Sequence, residues 1–403
     1  MAEIFPFKGL LYNLEKVEDI NKVIAPPWDI IDSEYEKHLR SLSPYNIINL
    51  IGKNNNPEEV ADLFYKWIEE KILIEDEGEN FYFMRHVFFY RNIKYERKGF
   101  FTLLKLEDFS SGTVIPHEQI FHQHHQNRYK LIEKCRANFS PVFMVYEDEK
   151  QRVEEMIESE EGILEGEIKD EKFLFGKIKD EKKKKEIQNI LRKNNLYIAD
   201  GHHRYYAALQ FYKNNPSEKN RYVMIFLVNL LSPGLVILPT HRYIPDDFTL
   251  DFCGELRKYF EVKEVENMEK VFEIMEKFKK QHSFGIFQKG KFYVVVAKEM
   301  EKIEKYLPQK NSYQWRTLDT VILHEFIMKK FLKDENIECL FHSSPEFLLK
   351  EYEKRKRGII FFLNPVEKNS FVEICSNGEI MPPKSTYFYP KVPSGLVLHK
   401  FQG

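Results

Sequence analysis

Between Leu196 and Arg204 the chain reads Leu196-Tyr-Ile-Ala-Asp-Gly-His-His-Arg204, so an acid, a glycine, two imidazoles and a guanidinium fill five consecutive positions directly after an apolar run. Tyr197, Ile198 and Ala199 predict a short buried strand, and Tyr205, Ala208, Leu209 and Tyr212 recur at helical spacing before Pro216. The polar cluster therefore falls on a strand-to-helix turn. Such a turn suits anions: Gly201 lets backbone approach a ligand, the amides that open a helix can bind negative charge, and Arg204 can fork onto a phosphate. Asp200, at the strand end, can bind a metal or accept a proton. The plainer alternative, a helix capped by Asp200 with satisfied histidines, does not need two histidines and an arginine as well.

Four other stretches carry polar chemistry. In Val23-Ile-Ala-Pro-Pro-Trp-Asp29 paired prolines stiffen an extended loop that presents Trp28 as a flat face and Asp29 as a carboxylate. In Thr113-Val-Ile-Pro-His-Glu118 the acid follows Pro116, and the run to Arg128 adds His122, His124 and His125 to what reads as a loop. Their spacing fits no helical zinc pair, so a small polar ligand held by Glu118 and Arg128 is the better expectation. Leu235 to Leu238 leads into Pro239-Thr-His-Arg242, read as a second strand that ends in His241 and Arg242 and faces the same anionic ligand. Near the end, Met381-Pro-Pro-Lys-Ser-Thr386 and Phe388-Tyr-Pro-Lys391 set Lys384 and Lys391 in a stiff segment that can return toward phosphates, or simply pack as an extended strap.

Ordinary elements must hold these stretches in place. Residues 57–72 predict an amphipathic helix with Val60, Phe64, Trp67 and Ile68 inward, and residues 81–90 and 93–106 predict a hairpin turning on Arg91-Asn92. The charged stretch 147–195 includes Lys182-Lys-Lys-Lys185 within a helix whose lysines form a solvated face. Residues 222–230 read as a strand. Beyond Pro245 helices and strands alternate: helices over 250–259, 268–280 and 318–332, and a hairpin over 284–297 turning on Lys289-Gly290. This predicts an α+β protein of two domains, 1–245 and 246–403, with the last segment of the second returning to the site.

With 43% apolar and 15% aromatic residues, 403 residues can bury a large core. Lys plus Arg total 61 against 63 Asp plus Glu, so a net charge of −2 gives no global case for nucleic acid or an anionic membrane, and any phosphate site must be local. Cys135, Cys253, Cys339 and Cys375 lie far apart without ligand spacing, which fits a reducing compartment. The first residues lack a basic stretch followed by an apolar one, and no run is long enough to span a bilayer, so a cytoplasmic protein without a membrane partner is expected.

In their order and spacing, Ala25-Pro-Pro-Trp-Asp29, Pro116-His-Glu118, Ile198-Ala-Asp-Gly-His-His-Arg204, Leu238-Pro-Thr-His-Arg242 and Met381-Pro-Pro-Lys-Ser-Thr386 resemble the domain-of-unknown-function family ten-fifteen nearly end to end. The loop after Glu118 departs from that pattern. At a greater distance, the Asp-Gly-His-His-Arg turn is similar to the nucleotide-binding motif of the ParB and sulfiredoxin superfamily, which includes free serine kinases. This resemblance implies a ParB/sulfiredoxin-like mixed-sheet nucleotide-binding core with a C-terminal α+β domain. Sulfiredoxins need a cysteine in the turn where this chain has His202 and His203, and ParB-type DNA binding needs a helix-turn-helix and a basic face. The free serine kinase branch keeps an Asp-Gly-His-His-Arg turn, and resemblance to it implies a nucleotide-dependent phosphotransferase acting on a small hydroxylated metabolite such as free L-serine, with ATP or ADP and Mg2+. In that reading Gly201, His203, Arg204, His241, Arg242, Arg128, Lys384 and Lys391 hold phosphates. Asp200 binds magnesium or takes the hydroxyl proton beside His202, and Glu118 and Asp29 are the other candidate bases. Phosphoserine hydrolysis would use the same cradle, and a nucleotide-sensing regulator that binds without turnover is the reading from a different class.

Overall fold

The computed structural model describes residues 1–119, 122–246, 252–332 and 338–401, leaving the side chains at 29 and 122–125 outside that description. The chain forms two compact units, one of Met1–Val236 with Pro390–Gly403 and one of Ile237–Tyr389. The division falls before the position near 245 expected from the sequence, because the strand His241–Ile244 pairs inside the second unit.

Unit 1 is built on one mixed sheet of nine strands: β1 (Ile4–Phe5), β2 (Phe81–Tyr90), β3 (Ile93–Lys105), β4 (Val114–Ile115), β5 (Val142–Tyr146), β6 (Gly162–Ile168), β7 (Glu171–Ile178), β8 (Leu196–Asp200) and β9 (Tyr222–Asn229). Their order is β4-β8-β5-β9-β3-β2-β7-β6, with β1 added on β3. β8 runs parallel to β4 and β9 parallel to β5, and the other pairs are antiparallel. Val223 to Val228 in β9 are all buried, which explains the unbroken apolar run: this strand has no wet face. The β2–β3 hairpin turns on Arg91 and Asn92 with φ of 51° and 62°, the two positive values that a tight two-residue turn requires.

Helices then cover the sheet. In α1 (Pro57–Glu69) the Asn56 side chain caps the helix and Pro57 opens it, and Val60, Phe64 and Trp67 are buried. The histidine-rich run expected as a loop is instead the start of α2 (His122–Cys135). Its unbranched residues favour helix, and Tyr129, Ile132 and Cys135 meet the protein at helical spacing, a stripe hidden by the polar first turn. The charged stretch after Tyr146 holds not only a helix but α3 (Arg152–Glu158), β6 and β7 as well. In α4 (Glu181–Arg192) Ile187, Ile190 and Leu191 join α5 (His202–Asn214) in one core with Ile198, Ile225 and Leu227. Lys184 departs from the expected solvated face, since it is buried and donates to the Glu79 carbonyl at 2.8 Å.

Unit 2 carries a six-stranded antiparallel sheet in the order Phe260–Val265, Lys291–Ala297, Ser283–Gln288, Ile359–Phe362, His241–Ile244, Leu340–His342. Val271, Met275, Leu348 and Tyr352 pack on it with Tyr243, Phe287 and Phe362. His241 and Arg242 open a strand rather than close one. The helix expected over 318–332 is a turn at Asp319–Val321 continued by a π-helix, Ile322–Leu332, and of the one expected over 250–259 the described residues are helical over Phe252–Leu256 and turn over 257–259. The strand on which the unit begins, Val236–Leu238, pairs with Tyr387–Tyr389, on which it ends. Among the described residues no helix is long and apolar enough to cross a membrane.

Gly234 approaches β3 so closely that a Cβ would lie 1.9 Å from the Glu96 carbonyl oxygen. A hydrogen-bonded strand cannot yield as a side-chain tip does, so Gly234→Ala is expected to cost about 1–3 kcal/mol, seen as a lower midpoint in urea unfolding. An unchanged midpoint would mean that the turn relaxes without strain.

Candidate functional site

β8 ends at Asp200, α5 starts at His202, and Gly201 between them has a φ of 92°. A side chain there would be strained by the backbone and would also meet Arg204, whose Nε lies 2.8 Å from the ideal Cβ position. Gly201 has no side chain with which to cap the helix, so the positive end of a thirteen-residue helix opens beside the strand end.

Asp200 is held from both sides. Its Oδ1 accepts from Lys391 Nζ at 2.6 Å and its Oδ2 accepts from Arg204 Nη2, one helical turn ahead. Arg204 Nη1 donates to the Pro141 carbonyl, which fixes the guanidinium between β5 and α5. Burial pushes the Asp200 carboxyl up, but the charges of Lys391 and Arg204 outweigh it and hold the group well below the usual carboxylate range. The three side chains together keep one net positive charge. A magnesium ion on Asp200 would compete with its two cations, and among the described residues no three His, Cys, Asp or Glu side chains gather as a metal site.

Two neutral histidines stand behind this trio. The His117 backbone amide donates to His202 Nε2 at 3.2 Å, and His117 Nδ1 donates to the Ile198 carbonyl in β8 at 2.6 Å. The rings meet edge to face, 4.6 Å between centroids. Burial, then the neighbouring His117, holds the His202 pKa well below that of a free histidine. Burial also lowers His117, although the Glu118 charge pulls it back up. Each ring therefore carries its proton on Nδ1. His202 spends Nε2 on tying the loop of His117 and half-buried Glu118 to the start of α5.

The stiff C-terminal segment completes the surroundings. Ala25 and Ser394 exchange backbone hydrogen bonds of 3.2 and 2.8 Å, and the Ser394 and Ser140 hydroxyls lie 2.7 Å apart. Ala25 opens the Pro-Pro-Trp loop, where the Arg128 guanidinium covers the Trp28 ring at 4.7 Å. Unit 1 thus contains Asp200, Gly201, His202, His203, Arg204, Glu118, Arg128 and Lys391. The Asp29 side chain lies outside the described residues. His241, Arg242 and Lys384 belong to unit 2 and have partners there. Arg242 is wholly buried and donates to the Thr240 carbonyl, to the Lys384 carbonyl at 3.0 Å and to His324 Nε2 at 3.3 Å, while His241 Nδ1 accepts from the Leu363 amide at 3.1 Å. His117 was given no role by the sequence, although its place between Pro116 and Glu118 marked it.

A family model described as a protein of unknown function (DUF1015) matches residues 4–321. Among solved structures, a free serine kinase in complex with AMP is 14% identical with a TM-score of 0.35, covering 72% of this chain and 86% of that one. A conserved hypothetical protein from Pyrococcus furiosus is 14% identical with a TM-score of 0.34, covering 70% and 90%. SbnI with a C-terminal truncation from Staphylococcus aureus is 9% identical with a TM-score of 0.37, covering 73% and 86%. No curated protein matches.

The buried neutral state of His202 has a thermodynamic signature. Its folded pKa lies below the unfolded value, so unfolding takes up a proton and stability falls as pH drops below about 6.5. His202→Gln keeps an acceptor for the His117 amide and cannot titrate. Between pH 6.5 and 5 its unfolding free energy in urea is expected to fall less steeply than that of the wild type, by up to about 1 kcal/mol per pH unit. Parallel slopes would mean that His202 is already protonated in the folded state.

Proposed function

The chain belongs to the family of proteins of unknown function DUF1015, and from that premise we propose, on the geometry of its strand-to-helix turn, that unit 1 is a nucleotide-dependent phosphotransferase acting on a small hydroxylated metabolite. The observation that carries the reading is the pair of cations, Lys391 and Arg204, held on one half-buried carboxylate beside an uncapped helix start. Phosphoryl transfer asks for charge neutralisation and positioning more than for covalent chemistry. In this reading the first amides of α5, with Gly201 and His203 at its opening, receive the phosphates of ATP or ADP. Lys391 and Arg204 meet the developing negative charge without having to be gathered from solvent. Asp200 keeps the two cations in place. Clamped as it is, it is a poor base, and Glu118 beside neutral His117 is the better acceptor for the hydroxyl proton. Among the described residues no three imidazole, thiolate or carboxylate side chains gather around Asp200, so magnesium would enter with the nucleotide phosphates. The Asp-Gly-His-His-Arg turn also supports a ParB/sulfiredoxin-like core, and free L-serine is the first acceptor to try.

Phosphorus NMR of the protein with magnesium, ATP or ADP and a panel of small alcohols led by L-serine is the direct test. A phosphomonoester signal that requires one acceptor is the expected result. Phosphate released from O-phosphoserine without nucleotide would establish a phosphatase instead, and nucleotide binding without any turnover would establish a sensor. Given turnover, Glu118→Gln is expected to lower kcat by about a hundredfold or more while leaving nucleotide affinity unchanged. Arg204→Ala should weaken nucleotide binding by about tenfold or more. Full kcat in Glu118→Gln would remove Glu118 from the role of base.

A further inference from the structure

Arg97 is wholly buried in β3, directly opposite His86 of β2 in the strand register. A guanidinium so placed loses its hydration and persists only where its donors are matched. Its Nη2 donates to His86 Nδ1 at 3.1 Å and its Nη1 donates to the Pro390 carbonyl. Arginine has donors only, so His86 Nδ1 is the acceptor and the ring proton sits on Nε2, which lies 3.0 Å from Glu171 Oε2 at the start of β7. The rings of Phe143 and Phe226 lie 5.3 and 5.6 Å from the guanidinium. Glu171, His86 and Arg97 thus form a chain of polar contacts across three adjacent strands, a close ion-pair contact at Glu171 followed by hydrogen bonds that Arg97 donates to His86 and to the strap. The chain ends on the backbone next to Lys391, whose ammonium holds Asp200.

We propose that Glu171, His86 and Arg97 are positioning residues: they latch the C-terminal strap at Pro390 and so place Lys391 on Asp200. None of the three needs to touch a ligand. The Ala25–Ser394 and Leu10–Leu398 bridges hold the strap further along, so opening the latch frees the lysine without undoing the sheet. The consequence for ligand binding rests on the reading of the turn as an anion cradle, whereas the latch itself does not.

The test uses the full chain and two substitutions at one position. His86→Gln offers an N–H to Glu171 and a carbonyl oxygen to Arg97, the same donor and acceptor order as the imidazole. His86→Leu offers neither. Trace acetylation with acetic anhydride, read by mass spectrometry, reports the freedom of Lys391, whose side chain is only 9% exposed. His86→Leu is expected to raise Lys391 acetylation about tenfold while Lys213 stays unchanged, and His86→Gln is expected to remain within about twofold of the wild type. Equal Lys391 reactivity in all three proteins would overturn the latch, and so would a rise that is the same in both variants or shared by all lysines. Calorimetric titration with ADP then separates the two readings. Weaker binding by His86→Leu with normal binding by His86→Gln joins the latch to the cradle. If the wild type binds no nucleotide, the proposed function falls while the acetylation result still decides the latch.

Discussion

A carboxylate held between two cations at the end of a buried strand is the interaction on which the site of unit 1 depends. Taking three charged groups out of water is costly, and the cost is offset only where both carboxylate oxygens and the ammonium and guanidinium donors find partners at once. Arg204 arrives from the first turn of the helix that follows at once, so its geometry follows from the fold of β8 and α5. Lys391 arrives from 191 residues away. Removing either cation would leave the carboxylate with a single charged partner and the pair with no net charge, so the helix start would lose its excess of positive charge. A binding surface made this way is ordered before any ligand arrives, so a ligand does not have to bear the entropy of collecting mobile lysines.

The neutral histidines serve the same end by different means. His117 and His202 are wedged between β8 and α5, bonded to backbone rather than to carboxylates, and burial keeps them uncharged. Two imidazolium ions at this spacing beside Lys391 and Arg204 would repel one another, and the helix start would be forced open. As neutral rings they weld the Pro116 to Glu118 loop to the turn. At the end of β8 the positive charge is thereby carried by Lys391 and Arg204, whose positions are set.

The turn itself was legible because its composition is incompatible with a core: five polar or special residues in a row after an apolar strand leave few structural uses. The β2–β3 hairpin was legible from its aromatic and β-branched residues and its Arg-Asn turn. Other parts were not, each for a physical reason. The histidine-rich run hid the α2 helix because its apolar stripe begins only at Tyr129. His86 and Arg97 look like ordinary charges within a hairpin, since a strand written in one line does not show which face a second layer will bury. His241 and Arg242 have the same residue types as the Asp200 turn, but composition does not distinguish a strand end from a strand start. Nor does it tell an arginine that bonds carbonyls from one that awaits a ligand. The stiffness of the segment around Lys391 was visible in its prolines, while its partner, 191 residues earlier, was not.

Unit 2 interrupts unit 1 between β9 and the strap, and its first and last strands are paired with each other. A disordered stretch of that length would set Lys391 adrift from Asp200, since closing a loop costs more as it lengthens. Once the insert has folded, its two ends are side by side, and the strap departs from close to where β9 stopped. The effective loop shrinks to a few tens of residues, easing closure by on the order of 1 kcal/mol. The inserted unit is therefore a clasp in the topology of the chain, turning its most distant contact into a nearly local one. An evolutionary change that exchanged or enlarged the insert would leave the cradle intact as long as those two terminal strands stayed paired.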